Sequence, residues 1–457
     1  MRKLGIVIVL AVLGAAGWVW QTGIAQHTLG EMYAKGTVVS KNAPQAMAWN
    51  RKAAEKGCAK AQSTLGLAYA KGQGVPQDYA QAMVWFRKAA EQGEAAAQNN
   101  LGVAYATGTV VPKDATQAVA WYRKAAEQGL AGAQNNLGEA YDKGQGVPKD
   151  TTQAAAWYRK AAEQGLARAQ VNLGVMYNMG QSVPKDDDQA VAWYRKAAEQ
   201  GLAEAQFSLG VMYAKGQGVP KDEAQAVTWY RKAAEQNLAK AQTNLGGMYR
   251  NGLGVLKDEE QALAWYRKAT EQGDAAAQLN FGVMYDTGQG VPKDDEQAVT
   301  WYRKAAEQGL AEAQFSLGVM YAEGRGVSKD EAQAVTWYLK AAEQGLAKAQ
   351  TNLGVMYRNG LGVPKDEDQA VIWYRKAAEQ GDAAAQYNLG LMYCFGQGVP
   401  KDYAQAYMWT NLAAAQRMPE SITLRNSLEK ELTPTQIEDG QRLTREWLAA
   451  HSKGTVP

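Results

Sequence analysis

Cysteine and histidine are nearly absent from this 457-residue sequence, which contains two of each. The cysteines, Cys58 and Cys394, are too few and too far apart in sequence to build a disulfide framework, and we expect free thiols. The histidines, His27 and His451, lie near opposite ends of the chain, without a zinc-ligand spacing or a local catalytic partner. The sequence therefore predicts a protein that is not an enzyme and has no catalytic, metal-binding or cofactor-binding residue.

An excess of charge of either sign is also missing. Lysine and arginine number 49 against 46 aspartates and glutamates, which gives a net charge of +3, and both signs are interleaved along the chain. Proteins that bind nucleic acid usually carry a clustered basic surface. The charge pattern therefore predicts no nucleic-acid partner.

Long apolar runs are confined to the N-terminus. Arg2 and Lys3 are followed by uncharged, mostly apolar residues from Leu4 to Trp20, the arrangement of an export signal, with Ala16 and Ala25 as candidate cleavage sites. An uncleaved membrane anchor is the alternative, because the run approaches spanning length. We interpret residues 1–23 as a signal peptide or anchor and expect the chain to reach the periplasm or cell envelope, with cleavage favoured.

What the sequence has in abundance is a pattern that recurs every thirty-six residues, in eleven consecutive copies. Each copy has a glycine after a leucine, or once after Phe281, and a tryptophan nineteen residues later. The glycines are Gly30, Gly66, Gly102, Gly138, Gly174, Gly210, Gly246, Gly282, Gly318, Gly354 and Gly390. A period of this length is typical of solenoids built from stacked supersecondary units.

The copy at 133–168 shows what one unit should form. Apolar residues at helical spacing from Ala133 to Asp142 predict a first helix, here called helix A, which Gly144 ends in a left-handed conformation. After a short connector, Asp150 can cap a second helix, helix B, with Gln153 completing a capping box. Each unit is therefore predicted to be an antiparallel helix pair.

Helix B is predicted to run to about Gln164 and to bury both Trp157 and Tyr158, so that tryptophan truncation should be costly. Asn237 replaces the closing glycine of one unit and should adopt the same left-handed conformation. Val38, Val110 and Ser182 replace the second glycine of the connector. That position is therefore not expected to need a positive φ.

The shared residues form the motif A-x-x-x-L-G-x-x-Y-x-x-G-x-G-V-x-x-D-x-x-x-A-x-x-W-x-x-x-A-A-x-x-G over residues 24–418. This motif resembles that of the bacterial Sel1-like repeat (SLR) family, which is related to the tetratricopeptide repeats. The resemblance implies an all-α fold, a right-handed α-solenoid of eleven 36-residue helix-turn-helix repeats. It also implies a scaffold for protein–protein interaction in which the motif residues carry no chemistry.

The last repeat fades after Trp409, and residues 419–457 are interpreted as capping helices. A short helix is expected from Ile422 to Glu431. Thr433 is the predicted N-cap of a final helix, with Pro434 at its first position and Gln436 at its third. A solenoid needs its last apolar face covered, which favours a capping role.

A longer period also appears in the second half of the chain. Residues 203–240 and 311–348 differ at only five of 38 positions, at an offset of three repeats. We interpret this near-identity as a recent internal duplication.

Positions that vary between repeats form one stripe along helix A, which in related solenoids lines the concave surface. Apolar and aromatic residues among alternating charges there suit an extended peptide or a partner helix. The alternative is unconstrained drift at exposed positions. The predicted partner-binding residues are Arg168, Val171, Asn178, Glu204, Phe207, Lys240, Thr243, Arg250, Leu279, Asp286, Glu312, Phe315, Lys348, Thr351, Arg358 and Tyr387.

The sequence thus predicts an exported scaffold that binds an unidentified protein or peptide, and that meets a membrane only if the N-terminal segment stays uncleaved. A cell-envelope hydrolase, β-lactamase-like or peptidoglycan-directed, is one alternative, since Ser182 and Lys185 match an S-x-x-K motif. That motif requires a helix and two partner motifs that the sequence lacks. A glycan-binding module, with Phe207, Phe315 and Tyr387 as stacking platforms, is the other alternative.

Overall fold

A computed structural model describes residues 22–37 and 39–451. The predicted signal peptide or anchor lies outside the described residues except for Thr22 and Gly23, and so does Val38. Within the described ranges the chain forms 24 helices and no strand, which confirms the all-α solenoid fold. None of these helices combines the length and apolar character that crossing a membrane requires.

The helices follow one another in antiparallel pairs, with helix A first and helix B second. They are α1 Gly23–Lys35, α2 Ala43–Glu55, α3 Ala59–Lys71, α4 Tyr79–Glu91, α5 Ala95–Thr107, α6 Ala115–Glu127, α7 Ala131–Lys143, α8 Thr151–Glu163, α9 Ala167–Met179, α10 Asp187–Glu199, α11 Ala203–Lys215, α12 Glu223–Glu235, α13 Ala239–Asn251, α14 Glu259–Glu271, α15 Ala275–Thr287, α16 Asp295–Glu307, α17 Ala311–Glu323, α18 Glu331–Glu343, α19 Ala347–Asn359, α20 Glu367–Glu379, α21 Ala383–Phe395, α22 Tyr403–Ala415, α23 Pro419–Glu431 and α24 Pro434–His451.

The turn between helices A and B explains why helix A stops where it does. Gly144 has a φ of 66°, as predicted, and its N–H donates to the Ala140 carbonyl. The connector's second position is also left-handed, with φ values of 74° at Gly146, 67° at Val110 and 55° at Ser182. The prediction that this position does not need a positive φ was wrong. A Cβ on Gly146 would lie 2.1 Å from the Ala115 carbonyl oxygen, so the connector packs against helix B of the preceding repeat.

Helix B is capped by an aspartate, as predicted, but without the full capping box. The Asp150 carboxylate accepts from the N–H groups of Thr152 and Gln153. The Asp150 N–H donates to the Tyr141 carbonyl over 3.0 Å, and all eleven repeats have this bond from the cap residue to the helix A tyrosine. Because the Asp150 N–H already donates to the tyrosine carbonyl, no side chain at the third position of helix B is needed as its acceptor.

The aromatic residues of helix B are buried unequally. Tyr158 is 3% exposed and its ring lies against Gly138, where a Cβ would approach the ring to 2.7 Å. Trp157 is only half-buried, and the Lys160 ammonium lies 4.1 Å from the centre of its ring. The expectation that Trp157 is buried together with Tyr158 was therefore wrong, although Trp373 and Trp409 are buried.

Buried glutamines connect successive repeats through their side-chain amides. The Gln134 Nε2 donates to the carbonyl of Ala126, on helix B of the preceding repeat, over 3.2 Å. Its Oε1 accepts from Gln164 Nε2, at the end of helix B in its own repeat, over 2.7 Å. Both bonds recur in many of the repeats, so each such glutamine joins three helices in the interior.

The chain divides into two compact units within α12, one ending at Ala233 and the other beginning at Ala234. Asn237, near the start of the second unit, has a φ of 65°, which confirms that it replaces glycine in a left-handed position. Each unit is built from the same helix pairs.

The second unit ends in two helices that pack on α22. The α23 helix begins at Pro419, three residues before the predicted start. Thr433 caps α24 as predicted: its hydroxyl accepts from the Gln436 N–H, and the Gln436 side chain accepts from the Thr433 N–H over 2.9 Å. The Trp409 and Trp447 rings lie 6.1 Å apart at 68°.

One polar residue of α24 is buried, while one apolar residue of this helix is exposed. Thr444 is 6% exposed and Leu448 is 50% exposed, the reverse of their polarity. The Thr444 hydroxyl donates to the Gly440 carbonyl over 2.8 Å, which satisfies it inside the helix interface. Gly440 lies against the Tyr407 ring, one turn before Thr444 on the same face of the helix.

Candidate functional site

The second unit contains an open groove of about 700 Å³ that crosses four consecutive repeats. We call it the second-unit groove. Five of the predicted stripe residues line it, together with Asn280, Val283, Ser316 and Asp382. Those five are Arg250, Leu279, Glu312, Phe315 and Lys348.

The floor of the second-unit groove is apolar. Leu279 and Val283 lie one turn apart on α15, and Phe315 lies on α17. The Phe315 ring packs against the Tyr338 ring of the same repeat, with centres 5.8 Å apart at 36°. Since Tyr338 is itself buried and fixed against Gly318, the phenylalanine has a rigid support while part of its surface remains open.

Charged groups of both signs border this floor. Arg250 is half-buried and donates to the Asn280 side-chain oxygen over 3.2 Å. Glu312 and Lys348 are exposed at the starts of α17 and α19. Asp382 caps α21 by accepting from the Ala385 N–H over 2.8 Å, so its charge is already engaged.

Two predicted stripe residues contribute no surface. Thr243 and Thr351 are 8% and 6% exposed, and their hydroxyls donate to Asp274 and Asp382 over 2.9 and 3.0 Å. The prediction that these threonines face a partner was wrong. They sit one turn after the exposed lysine of helix A, where the side chain meets the N-terminus of helix A in the next repeat.

Asp286, a third predicted residue, is occupied by neighbours. Its carboxylate lies 2.5 Å from Arg325 Nη1 and accepts from the Tyr302 hydroxyl over 3.1 Å. Burial and the Asp286 charge raise the pKa of Tyr302 well above its ordinary value, so the hydroxyl stays protonated and donates. This cluster holds the helix A of one repeat to the connector of the next.

The remaining predicted residues of the second unit lie outside the groove lining. Lys240 is exposed, and Tyr387 is half-buried. Arg358 is half-buried and donates to Asn388 and Gln397 over 3.4 and 3.2 Å. The groove runs obliquely across the A helices, whereas the stripe was drawn along equivalent positions, so only some equivalent positions share it.

The predicted residues of the first unit do not line any comparable groove among the described cavities. Arg168 and Glu204 are exposed, while Val171 and Asn178 are half-buried. Asn178 donates to the Asp187 carboxylate over 2.9 Å, which uses its amide within the fold. Phe207 packs on Tyr230 with ring centres 5.8 Å apart, in nearly the geometry of Phe315 on Tyr338.

A smaller apolar cavity of about 180 Å³ in the first unit was not predicted. Leu67, Tyr79, Phe86 and Val103 are among its lining residues. Leu67 and Val103 directly follow the helix A glycine, a position left out of the predicted stripe. Phe86 replaces the tyrosine of most other repeats, and this substitution is the sequence signal that marks the site.

The candidate chemical groups are engaged in structural contacts. His27 shares a 2.8 Å hydrogen bond with Asn50, and His451 stacks on Trp447 with ring centres 4.0 Å apart. Ser182 lies in a connector, bonded to Thr151, and not on the helix that the S-x-x-K motif requires. Across residues 22–37 and 39–451, no group of three or more histidine, cysteine, aspartate or glutamate side chains could hold a metal.

Both cysteines are free thiols, as predicted. Cys58 and Cys394 are each half-buried. Burial raises the pKa of the Cys394 thiol, which keeps it in the less reactive protonated form.

Comparison with known proteins decides the family. The model of the Sel1 repeat matches eleven consecutive segments: 23–58, 59–94, 95–130, 131–166, 167–202, 203–238, 239–274, 275–310, 311–346, 347–382 and 383–417. The chain belongs to the Sel1 repeat family. Sel1 repeat scaffolds generally mediate protein–protein interaction and are typically non-catalytic.

Two solved Sel1 repeat structures are similar over much of the chain. The crystal structure of c5321, a protective antigen of uropathogenic Escherichia coli strains that displays an SLR fold, is 42% identical with a TM-score of 0.78. The similarity covers 96% of each chain. A Sel1 repeat protein from Oxalobacter formigenes is 38% identical with a TM-score of 0.51, over 68% of this chain and 90% of that one. No curated protein gives a significant match.

Proposed function

We propose that this Sel1 repeat protein binds a segment of a protein partner in the second-unit groove. The observation that supports the proposal is the groove itself, in which an apolar floor on Leu279, Val283 and Phe315 is bordered by charges of both signs. Apolar anchors in a concave site, surrounded by polar groups, are the usual arrangement for binding an extended peptide or a helix. The framework residues of the repeats hold these side chains in place.

Site-specific photo-crosslinking tests the proposal in cells. A photo-reactive phenylalanine analogue replaces Phe315 in the groove or, as a control, Ile372, an apolar residue that is 45% exposed on α20. We expect a discrete crosslinked partner from position 315 and none from position 372. The same partner crosslinked from both positions, or none from either, would contradict the groove as the binding site.

We also propose that the protein is exported to the periplasm or cell envelope through residues 1–23. The support is the basic start and apolar run of this segment. Of the two candidate cleavage sites, Ala25 lies buried within α1, so cleavage there would remove the first turn of the repeat array. Cleavage after Ala16 is therefore favoured.

Fusion of residues 1–25 to alkaline phosphatase lacking its own signal tests export. We expect phosphatase activity, which requires an oxidising compartment, and a mature N-terminus that follows Ala16. An inactive fusion that remains in the cytoplasm would refute export, while an active, membrane-bound and full-length fusion would establish the anchor instead.

A further inference from the structure

Arg250 is a half-buried cation on the second-unit groove, and no ion pair among the described residues includes it. Its Nη1 donates to the Asn280 amide oxygen over 3.2 Å. A neutral amide orients a guanidinium without neutralising it. Removing such a group partly from water without an opposite charge is unfavourable, and a carboxylate from outside would offset that cost.

Arg325 of the same unit, which is also half-buried, is paired with acidic groups of the fold. Its Nη1 lies 2.5 Å from the Asp286 carboxylate, and its Nε lies 2.7 Å from the Glu323 carboxylate. The chain thus supplies acidic partners to an arginine that serves the fold. At Arg250 it supplies an amide only, on a surface that is open to a ligand.

The groups around Arg250 define the rest of the ligand. Leu279 and Phe315 provide an apolar surface on the same groove, and Glu312 lies beside Phe315 on α17. A carboxylate in the ligand is repelled near Glu312 and attracted at Arg250, so these two charges fix the direction in which the ligand lies in the groove. Glu312 and Asp382 also disfavour a doubly charged phosphate group in this groove.

We propose that the second-unit groove selects a protein segment that places an aspartate or glutamate side chain on Arg250 and an apolar side chain against Leu279 and Phe315. The inference rests on the proposed function and names the chemistry of its partner. The planar guanidinium can pair with both oxygens of one carboxylate, which an amide of the same shape cannot match.

The three-repeat offset that relates 203–240 to 311–348 also relates Arg250 to Arg358, which serves as a matched control. Its Nη1 donates to the Asn388 amide oxygen over 3.4 Å, the counterpart of the bond from Arg250 to Asn280. Arg358 is also half-buried on a helix A, but it lies outside the groove lining. Arg358→Gln therefore removes the equivalent bond to an asparagine, together with a bond to Gln397, without touching the proposed contact.

The test is a selection of random linear peptides by display on the full chain, followed by affinity measurements. Wild type, Arg250→Gln and Arg358→Gln are each used as bait, and a Leu279→Ser/Phe315→Ser variant measures background. The strongest wild-type peptide is synthesised with blocked termini, so that only side chains are charged. A twin peptide carries glutamine or asparagine in place of its acidic residue.

We expect wild type and Arg358→Gln to enrich peptides with an acidic residue at a fixed distance from an apolar one. The twin should bind wild type and Arg358→Gln about 10- to 100-fold more weakly than its parent peptide does. Arg250→Gln should bind the two peptides with about equal affinity. An equal loss on all three proteins, or enrichment without acidic preference, would overturn this inference alone. No enrichment above the Leu279→Ser/Phe315→Ser background would contradict the proposed function as well.

Discussion

The close contact between the helix A glycine and the buried tyrosine leads to a prediction about two glycines of one helix. In α7, a Cβ on Gly138 would lie 2.7 Å from Cδ1 of Tyr158 and 3.3 Å from the Ala154 carbonyl oxygen. A Cβ on Gly132 would meet nothing within 4 Å, and its backbone is helical. Gly138→Ala and Gly132→Ala therefore make the same chemical change in opposite surroundings.

The expected magnitudes follow from two opposing effects. Replacing a helical glycine with alanine stabilises by about 0.5–1 kcal/mol, because the unfolded chain loses conformational freedom. Overpacking a rigid core contact costs about 1–3 kcal/mol. Since the Tyr158 ring is buried and the Ala154 carbonyl oxygen also lies close to the added Cβ, we expect Gly138→Ala to destabilise its repeat by about 1–2 kcal/mol net. Gly132→Ala should stabilise it by about 0.5 kcal/mol, since it lies in the first turn.

Hydrogen exchange followed by mass spectrometry measures the local stability of this repeat, on peptides that cover residues 131–163. A local method is needed because a long repeat array need not unfold in one step. We expect faster exchange in Gly138→Ala and slower exchange in Gly132→Ala. Slower exchange in both variants would refute the contact between glycine and tyrosine as the reason for the glycine period.

Three further predictions concern the same interior. Gln134→Leu removes the acceptor for Gln164 and the donor to Ala126, so it should lower the local free energy of unfolding by about 1–3 kcal/mol, measured by hydrogen exchange. An unchanged exchange rate would count against the glutamine contacts. Tyr158→Ala should lower the local free energy of unfolding by about 3–5 kcal/mol, more than Trp157→Ala, which removes a half-buried ring. A larger loss for Trp157→Ala would show that burial does not decide the cost. Burial, with a smaller contribution from Glu139, raises the pKa of Tyr122 from 10.0 to about 12. The unfolded chain then loses this proton first, so stability is complete below pH 10 and falls between pH 10 and 12. The drop in Tm from pH 9 to pH 11 should be smaller in Tyr122→Phe; an equal drop would exclude this tyrosine as a contributor.

The sequence predicts most of the repeat because its determinants are local. The left-handed glycine at Gly144, the aspartate cap at Asp150 and the threonine cap at Thr433 depend on residues within one turn. The substitution of asparagine for glycine at Asn237 is equally local. Such features can be inferred from spacing and residue type alone.

What sequence reasoning missed depends on contacts between repeats. The positive φ of Val110 and Ser182 arises because the connector packs on the preceding helix B, which substitution alone does not reveal. The partial exposure of Trp157 follows from its place at the edge of the interface between repeats. Thr243 and Thr351 turn inward because the aspartate that caps helix A of the next repeat accepts their hydroxyl.

The predicted stripe coincides only partly with the second-unit groove. Arg250, Leu279, Glu312, Phe315 and Lys348 share one groove, as the stripe suggested. Arg358 occupies the position equivalent to Arg250 three repeats later and lies outside the groove. Equivalent positions in a repeat have the same local surroundings, but an oblique groove selects among them, and only coordinates show which residues it includes.

The most direct test of the account is the affinity of the partner segment crosslinked at position 315, measured for wild type and for Leu279→Ser/Phe315→Ser. Both side chains are half-buried on the floor of the groove, so Tm should fall while helical content stays close to that of wild type. We predict that the double variant binds at least about 100-fold more weakly. An unchanged affinity in a correctly folded double variant would contradict the claim that the second-unit groove is the binding site.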